Sequence, residues 1–322
     1  SKQWDGKRQR ELRQQCEVSV GAPKKEPKKI KSAVEADMYI NNPDSFPLSI
    51  GRYGYLPLSI QRFLNTDNKT CQTSPTDASI KPDTQCIVRM GIELNKNQSF
   101  IGAISSVYQE ISKTYTTIKE MKNIIKDSID IDKYIHLQNG ILIDTFYTDS
   151  DINIELYSDS KIYRRSMGND DMEQLLPRYI KSYENFIRYL DDDDISIDYT
   201  YLWDICSVPN ALLFPKGLNL IILEISDDDI TDNVSIICPP TQYNGKFGDP
   251  TRRNALFIKR DDYYEHIIMI EDKGRKVTIS RTFSTLYKEL IPALHESIAF
   301  IKKQIVSKCI PHESSPKMYK FR

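Results

Sequence analysis

The sequence lacks an excess of charge of either sign, a long apolar run and any regular cysteine spacing. Its 322 residues include 44 Lys and Arg against 45 Asp and Glu, so no overall charge attracts the chain to nucleic acid or to a membrane surface. No apolar run approaches the ~18 residues of a membrane-spanning helix, and no signal peptide is evident. We therefore expect a soluble protein that is not secreted and has no membrane partner.

The cysteines are few and scattered, which argues against a disulfide framework and against zinc. The six are Cys16, Cys71, Cys86, Cys206, Cys238 and Cys309. Without a Cys-x-x-Cys pair, the default prediction is a reducing compartment and no metal site. A bridge or a metal pair between Cys71 and Cys86, which flank a polar loop, stays an open alternative. Walker and dinucleotide-binding loops are missing too, so no cofactor is predicted.

Basic residues are concentrated at the start of the chain. Residues 2–31 hold ten Lys or Arg against four acids, and the Pro-rich centre carries Lys24, Lys25, Lys28 and Lys29. Such a composition does not form a core of its own, and we interpret it as a solvated arm. Contact of these lysines with nucleic acid phosphates is the alternative. The first residue is Ser1 rather than Met, which suggests a fragment of a longer chain.

Shifts in composition predict five regions. They are a basic flexible arm (1–36), an extended segment rich in aromatic residues and proline (37–89), an α+β core (90–275), a C-terminal helix (276–310) and a loose tail (311–322). Apolar residues at helical spacing predict helices over 99–108, 116–127, 131–139, 170–189, 199–207 and 284–308. Apolar runs of strand length predict strands over 141–143, 218–225, 234–238, 255–259 and 263–270. Because most strands follow the helices, the predicted class is α+β.

The stretch from Asn97 to Ser105 has the form of a nucleophile site. A polar turn leads directly into an apolar helix, and free N–H groups at a helix start lower a thiol pKa and bind an oxyanion. The first turn offers Ser99 instead of cysteine. A serine hydroxyl attacks an acyl carbon only beside a base. Capping of the helix by Ser99 is the structural interpretation, and the small residue Gly102 predicts close approach of a neighbouring segment.

Three stretches in this order resemble the ovarian-tumour (OTU) type of papain-like cysteine protease. Gln98–Ile104 resembles the family's Asn-Cys-Leu-Phe-Arg-Ala-Ile-like stretch, and residues 183–225 loosely resemble its middle region. Phe257–Glu265 resembles its final Leu-Leu-Tyr-Arg-Pro-Gly-His-Tyr-Asp motif. The resemblance implies a core with a central helix against a mixed or antiparallel sheet. It also implies that Ser99 replaces the catalytic cysteine, that Tyr263 replaces the histidine and that Glu265 takes the third position.

The stretches Arg52–Ile60 and Tyr201–Ile205 resemble segments of large proteins of nucleocytoplasmic large DNA viruses. The resemblance implies a viral origin and a location in host cytoplasm or virion. We therefore expect a catalytically inactive OTU-like domain that binds a viral or ubiquitin-like protein. Ser99, Tyr263 and Glu265 would then occupy the catalytic positions of the family without catalysing a reaction.

Two other functions remain open. The first is an OTU-like hydrolase of the deubiquitinase kind, in which Ser99 or a displaced cysteine, Cys206 or Cys238, acts with His266. A distance of about 3 Å between the His266 imidazole and the Ser99 or Tyr263 hydroxyl would favour it. The second is a nuclease in which Asp204 and Glu224 hold a metal. The acidic run 191–194 could hold a divalent cation, although a solvated loop is the preferred interpretation.

Overall fold

The fold was examined in a computed structural model that describes residues 39–73, 80–226, 233–240, 248–273, 277–286 and 291–309. The predicted basic arm, with Lys24, Lys25, Lys28 and Lys29, and the predicted tail lie outside the described residues. None of the described helices is both long and apolar enough to cross a membrane.

The described residues form helices on both sides of one mixed sheet, which confirms the α+β class. The helices are α1 (Leu58–Phe63), α2 (Ser99–Ser112), α3 (Ile118–Asp127), α4 (Ile131–Tyr134), α5 (Ile141–Phe146), α6 (Lys161–Ser166), α7 (Asp170–Asp191), α8 (Tyr199–Ser207) and α9 (Pro292–Lys308). The strands are β1 (Ile40–Asn41), β2 (Tyr53–Tyr55), β3 (Gln85–Met90), β4 (Leu218–Glu224), β5 (Ser235–Ile236), β6 (Arg253–Arg260), β7 (Tyr263–Asp272) and β8 (Val277–Ser280).

The strands are hydrogen-bonded in the order β1-β2-β3-β7-β6-β4-β5, and β8 pairs with β7. The pairs β1–β2 and β4–β6 are parallel, while the other pairs are antiparallel. The boundary drawn from composition between residues 89 and 90 falls inside β3. The Pro-rich segment therefore contributes three strands to the same sheet as the core.

Two apolar layers cover the sheet. On one face α2, α3, α7 and α8 pack against side chains of β4, β6 and β7, including Phe257 and Tyr264. On the other face α1 and α9 pack against the alternate side chains of the same strands, including Leu256 and Ile258. Since successive strand residues point to opposite faces, each of these central strands is apolar on both sides.

Most predicted elements are confirmed, and the others differ from the structure in type, length or position. Residues 141–143 are helical rather than extended, because Gly140 with φ 86° starts α5, which packs on α7. Strand β5 is shorter than predicted. Strands β1, β2, β3 and β8 were not predicted, and the helix predicted over 131–139 ends at Tyr134. The C-terminal helix begins at Pro292 rather than at Ser284, because proline occupies a first-turn position.

Two disulfides correct the prediction of reduced cysteines. Cys71 bonds Cys86 with Cα atoms 5.5 Å apart, and Cys238 bonds Cys309 with Cα atoms 5.4 Å apart. The fold brings together residues 71 positions apart in the second pair, which spacing alone does not reveal. Disulfides are typical of proteins in an oxidising environment rather than a reducing one.

Candidate functional site

The helix α2 is buried along its first half and organises the helical layer. Its residues from Ser99 to Val107 are all buried, because β7 lies against one side of it and α3 against another. The prediction that Gly102 permits close approach is confirmed. A Cβ atom at Gly102 would lie 3.2 Å from the Ile92 side chain and 3.3 Å from the Glu93 carbonyl oxygen.

Ser99 joins the start of α2 to the sheet. It is the first helical residue and Gln98 is the N-cap, so Ser99 is not the capping residue that the sequence predicted. The Ser99 Oγ accepts a hydrogen bond of 2.9 Å from the backbone N–H of Tyr264 on β7. The side chain is almost fully buried. The hydroxyl at the predicted nucleophile position therefore satisfies a backbone donor of the sheet.

The hairpin formed by β6 and β7 turns at Asp261–Asp262 and divides its side chains between the two faces of the sheet. Tyr264 and His266 lie on the face that α2 covers. Tyr263 lies on the other face, where its ring meets Phe46 edge-on with centroids 6.5 Å apart. The residue matched to the family's histidine therefore points away from Ser99.

Glu265 lies on the same face as Tyr263 and forms a buried ion pair. Its carboxylate accepts a 2.6 Å hydrogen bond from Arg89 Nη1 and a 2.7 Å bond from the Leu48 N–H. Burial raises the pKa of Glu265, while the Arg89 guanidinium opposes part of this effect. Both side chains are buried, with 0% and 1% exposure. Glu265 thus holds the extended segment before β2 to the sheet and does not face Ser99.

His266 contacts α2 two turns beyond Ser99. Its Nδ1 atom lies 2.8 Å from Ser106 Oγ, and its Nε2 atom lies 2.7 Å from the carbonyl oxygen of Arg281. Because a carbonyl oxygen only accepts, the proton is assigned to Nε2, and the Ser106 hydroxyl donates to Nδ1. Complete burial lowers the pKa of His266 to about 3, so the imidazole is neutral at physiological pH.

The cysteines proposed as displaced nucleophiles have other environments. Cys206 on α8 is fully buried, and burial raises the pKa of its thiol. Cys238 is joined to Cys309. Neither sulfur has the exposed, electropositive surroundings that a reactive thiolate requires. Cys16 lies outside the described residues.

A polar row crosses the sheet beside Ser99, on the face that carries α2. Glu224, Lys259 and Tyr264 are neighbours on β4, β6 and β7, and Glu224 forms an ion pair with Lys259. The Tyr264 hydroxyl is buried and has no hydrogen-bond partner among the described residues. Burial raises its pKa, so it stays protonated. A cavity of about 30 Å³, which Ser99, Asp198 and Tyr264 help to line, has room for a water molecule.

The acidic residues considered as metal ligands are paired with other groups. Asp204 Oδ2 accepts a 2.8 Å hydrogen bond from the Gln138 N–H, whereas Glu224 pairs with Lys259 on the sheet. In the acidic run, Asp193 pairs with Lys122 at 2.8 Å and Asp191 pairs with Lys126. Within the described ranges, no three His, Cys, Asp or Glu side chains are grouped so that they could hold a metal ion.

Sequence reasoning missed Ser106 and Tyr264 as members of this region. Ser106 follows Ser99 by seven residues, which is two helical turns and therefore the same helix face. Tyr264 and His266 share a strand face because they are two residues apart. These spacings indicated which residues share a face of the same element. They did not indicate which strand packs beside α2.

Comparisons with protein-family profiles, with curated proteins and with solved structures each returned no match. The function therefore has to be inferred from the geometry.

Proposed function

We propose that this chain is a catalytically inactive, OTU-like interaction domain of a larger viral protein. Its cleft beside the start of α2 binds a protein segment without cutting it. One observation carries the proposal: the Ser99 hydroxyl accepts the Tyr264 N–H at 2.9 Å, while His266 pairs with Ser106 two turns away. The nucleophile position thus has a structural role.

The chemistry of acyl transfer explains why this observation matters. A serine becomes a nucleophile only when a base removes its proton, and the base must lie within hydrogen-bond reach of the hydroxyl. The side chain that β7 presents to Ser99 is Tyr264, whose raised pKa prevents it from accepting a proton at neutral pH. Among the described residues, no imidazole is hydrogen-bonded to the Ser99 hydroxyl, and Asp198, which lines the same cavity, caps α8 by accepting the Thr200 N–H.

The sequence resemblance supports the OTU-like part of the proposal. A central helix that begins at Ser99 packs on the strand of the last motif, and that strand forms a hairpin with β6. The chain resembles the family in the order of these elements along the sequence and in the packing of the helix on the strand. The alignment of Tyr263 with the family's histidine is not reproduced in space, since Tyr264 is the residue that faces α2.

A second candidate function is a serine hydrolase that uses Ser106 and His266. The 2.8 Å separation of Ser106 Oγ and His266 Nδ1 favours it, because this is the contact that a nucleophile and its base make. Two findings oppose it. The imidazole is fully buried, and a base with a pKa of about 3 gives little driving force for removing a serine proton.

Cleavage of ubiquitin chains tests the proposal. The wild-type chain and the variants Ser99→Cys, Ser99→Ala, Ser106→Ala and His266→Gln are each incubated with ubiquitin chains of defined linkage. We expect no cleavage by any of them, including Ser99→Cys, since a restored thiol still has no imidazole beside it. Cleavage by wild type would overturn the proposal. Its loss in Ser106→Ala but not in Ser99→Ala would assign the activity to the second candidate.

A further inference from the structure

The largely apolar cavity at the far end of α2 is separate from the Ser99 cleft. It has a volume of about 290 Å³ and lies between the C-terminal half of α2, the segment before β4 and the start of β6. The surface that lines it is mostly apolar and comes from Val107, Ile111, Phe214, Pro215 and Leu218, and polar residues such as Thr251 also line it. Ile111 remains 48% exposed, so the cavity is open to solvent on that side.

The rim of the cavity carries an unbalanced positive charge. Lys216 is exposed and forms no ion pair with any residue that the structure describes. Arg253 and Glu110 compensate each other across 3.7 Å, and Glu110 also accepts a 2.9 Å hydrogen bond from Thr282. The Lys216 ammonium group is therefore the rim charge that is available to pair with an anionic ligand.

We propose that this cavity binds an alkyl carboxylate with a chain of about ten carbon atoms, since a cavity of roughly 150 Å³ accommodates benzene and this one is about twice as large. The alkyl chain lies against the apolar walls, and the carboxylate lies beside the Lys216 ammonium group. The binding is non-covalent and does not depend on the function proposed for the Ser99 cleft.

The polarity of the walls favours an alkyl chain over a peptide. A peptide main chain entering the cavity would lose hydrogen bonds to water, and the apolar walls offer almost no replacement partners. An alkyl chain has no such groups. Its transfer from water becomes more favourable with each CH₂ group that is buried.

The test is a calorimetric titration of the whole chain with sodium decanoate, with decanol and butanoate as comparison ligands. We expect one saturable decanoate site and at least tenfold weaker binding of butanoate. Ile111→Trp places a ring in the open side and should weaken decanoate binding at least tenfold. Thr251→Trp, at another exposed wall position, is the second obstructing variant if Ile111→Trp does not fold.

The charge of the rim is tested separately. Lys216→Gln should weaken decanoate binding about threefold, as for an exposed ion pair, and leave decanol binding unchanged. Lys303→Gln removes an exposed lysine that does not line the cavity, and it should bind decanoate like wild type.

Four results would overturn the proposal. These are no saturable decanoate binding, wild-type affinity in both tryptophan variants, equal affinity for decanol and decanoate, and an unchanged affinity in Lys216→Gln. If decanoate does not bind but the peptide acetyl-Asp-Leu-Trp-amide does, and Ile111→Trp abolishes that binding, the cavity is a peptide site instead.

Discussion

Two buried polar side chains of β7, Glu265 and His266, have hydrogen-bond partners that explain why they are polar. His266 joins α2 to the segment after β8 through Ser106 and the Arg281 carbonyl group. Glu265 joins β7 to β3 and to the Leu48 N–H on the opposite face. Residues that the sequence presents as a catalytic motif are therefore cross-links between layers of the fold.

The first prediction at this scale concerns pH. The pKa of His266 is about 3 in the folded chain and 6.5 when unperturbed, so the unfolded state binds the proton more readily between these values. The contribution of His266 to the free energy of unfolding is fully present above pH 6.5 and is lost as the pH falls toward 3. At pH 4.5 the loss is about 3 kcal/mol. Urea unfolding at pH 7 and pH 4.5 measures the loss.

The His266→Gln variant should lose about 3 kcal/mol less than wild type over the same pH change, because glutamine does not titrate. His136→Gln is the matched control, since His136 is exposed, and it should follow wild type. If His266→Gln and wild type lose equal stability between the two pH values, His266 is not a buried neutral imidazole.

The second prediction concerns the buried ion pair. Arg89 also donates hydrogen bonds to the carbonyl oxygens of Tyr55 at 2.8 Å and of Ser45 at 2.7 Å. Arg89→Met leaves the Glu265 carboxylate buried without a cation, and we expect a loss of about 3–5 kcal/mol in the free energy of unfolding. The double variant Arg89→Met/Glu265→Leu should recover part of it. A loss below about 1 kcal/mol in the single variant would contradict the role of the pair.

At the scale of elements, β7 carries functional-site candidates on both faces of the sheet. Tyr264 and His266 lie on the face that α2 covers, and Tyr263 and Glu265 lie on the other face. The sequence predicted both strands of the β6–β7 hairpin, because continuous apolar runs flank a short acidic turn. It did not predict which face each side chain takes. A shift of one residue in the alignment moves every side chain of a strand to the opposite face of the sheet. The family alignment was shifted in this way, because it placed Tyr263 rather than Tyr264 toward α2.

The error at residues 141–143 has a different cause. Ile-Leu-Ile matches a short strand as well as a helix turn, and periodicity does not separate the two over so few residues. Tertiary contacts favour the helix at residues 141–143, because α5 packs along α7. Long segments such as α7 were predicted because their apolar spacing persists over six turns.

The third prediction concerns the close approach of β3 to the extended segment. A Cβ atom at Gly91 would lie 2.2 Å from the Ser49 carbonyl oxygen and 2.6 Å from that of Leu48. Backbone has to move to admit it, so Gly91→Ala should lower the free energy of unfolding by about 3 kcal/mol. Gly51→Ala is the control: its φ of 70° strains alanine, but nothing lies within 4 Å. It should lose only about 1 kcal/mol, and equal losses would contradict the steric explanation.

At the scale of the whole molecule, the Cys238–Cys309 disulfide connects two predicted regions, the core and the C-terminal helix, whereas the Cys71–Cys86 bridge lies within one region and was an open alternative in the sequence. Cys71–Cys86 closes the loop before β3, and Cys238–Cys309 joins the end of α9 to the residues after β5. Pairings at such separations, like that of Ser106 with His266, depend on the final topology. This explains why the fold class was predictable while the cross-links and the composition of the site were not.

The fourth prediction follows from the Cys238–Cys309 bond, whose cysteines are 71 residues apart. Closing a loop of that length lowers the entropy of the unfolded chain, and Cys309→Ser should remove about 4 kcal/mol of stability. Cys206→Ser, at the free cysteine, should keep both disulfides. Peptide mapping without reductant identifies the bonds, and chemical unfolding gives the loss. Free thiols at Cys238 and Cys309 in the purified chain would contradict the assignment.

The central claim is that Ser99 binds a backbone N–H and does not act as a nucleophile. The most direct test is intact mass spectrometry of the wild-type chain after incubation with a ubiquitin–vinyl electrophile, which labels thiols, and with a ubiquitin–fluorophosphonate electrophile, which labels activated serines, with peptide mapping of any adduct. We predict an unchanged mass for wild type and for Ser106→Ala. A covalent ubiquitin adduct on Ser99, on Ser106 or on any cysteine would contradict the account.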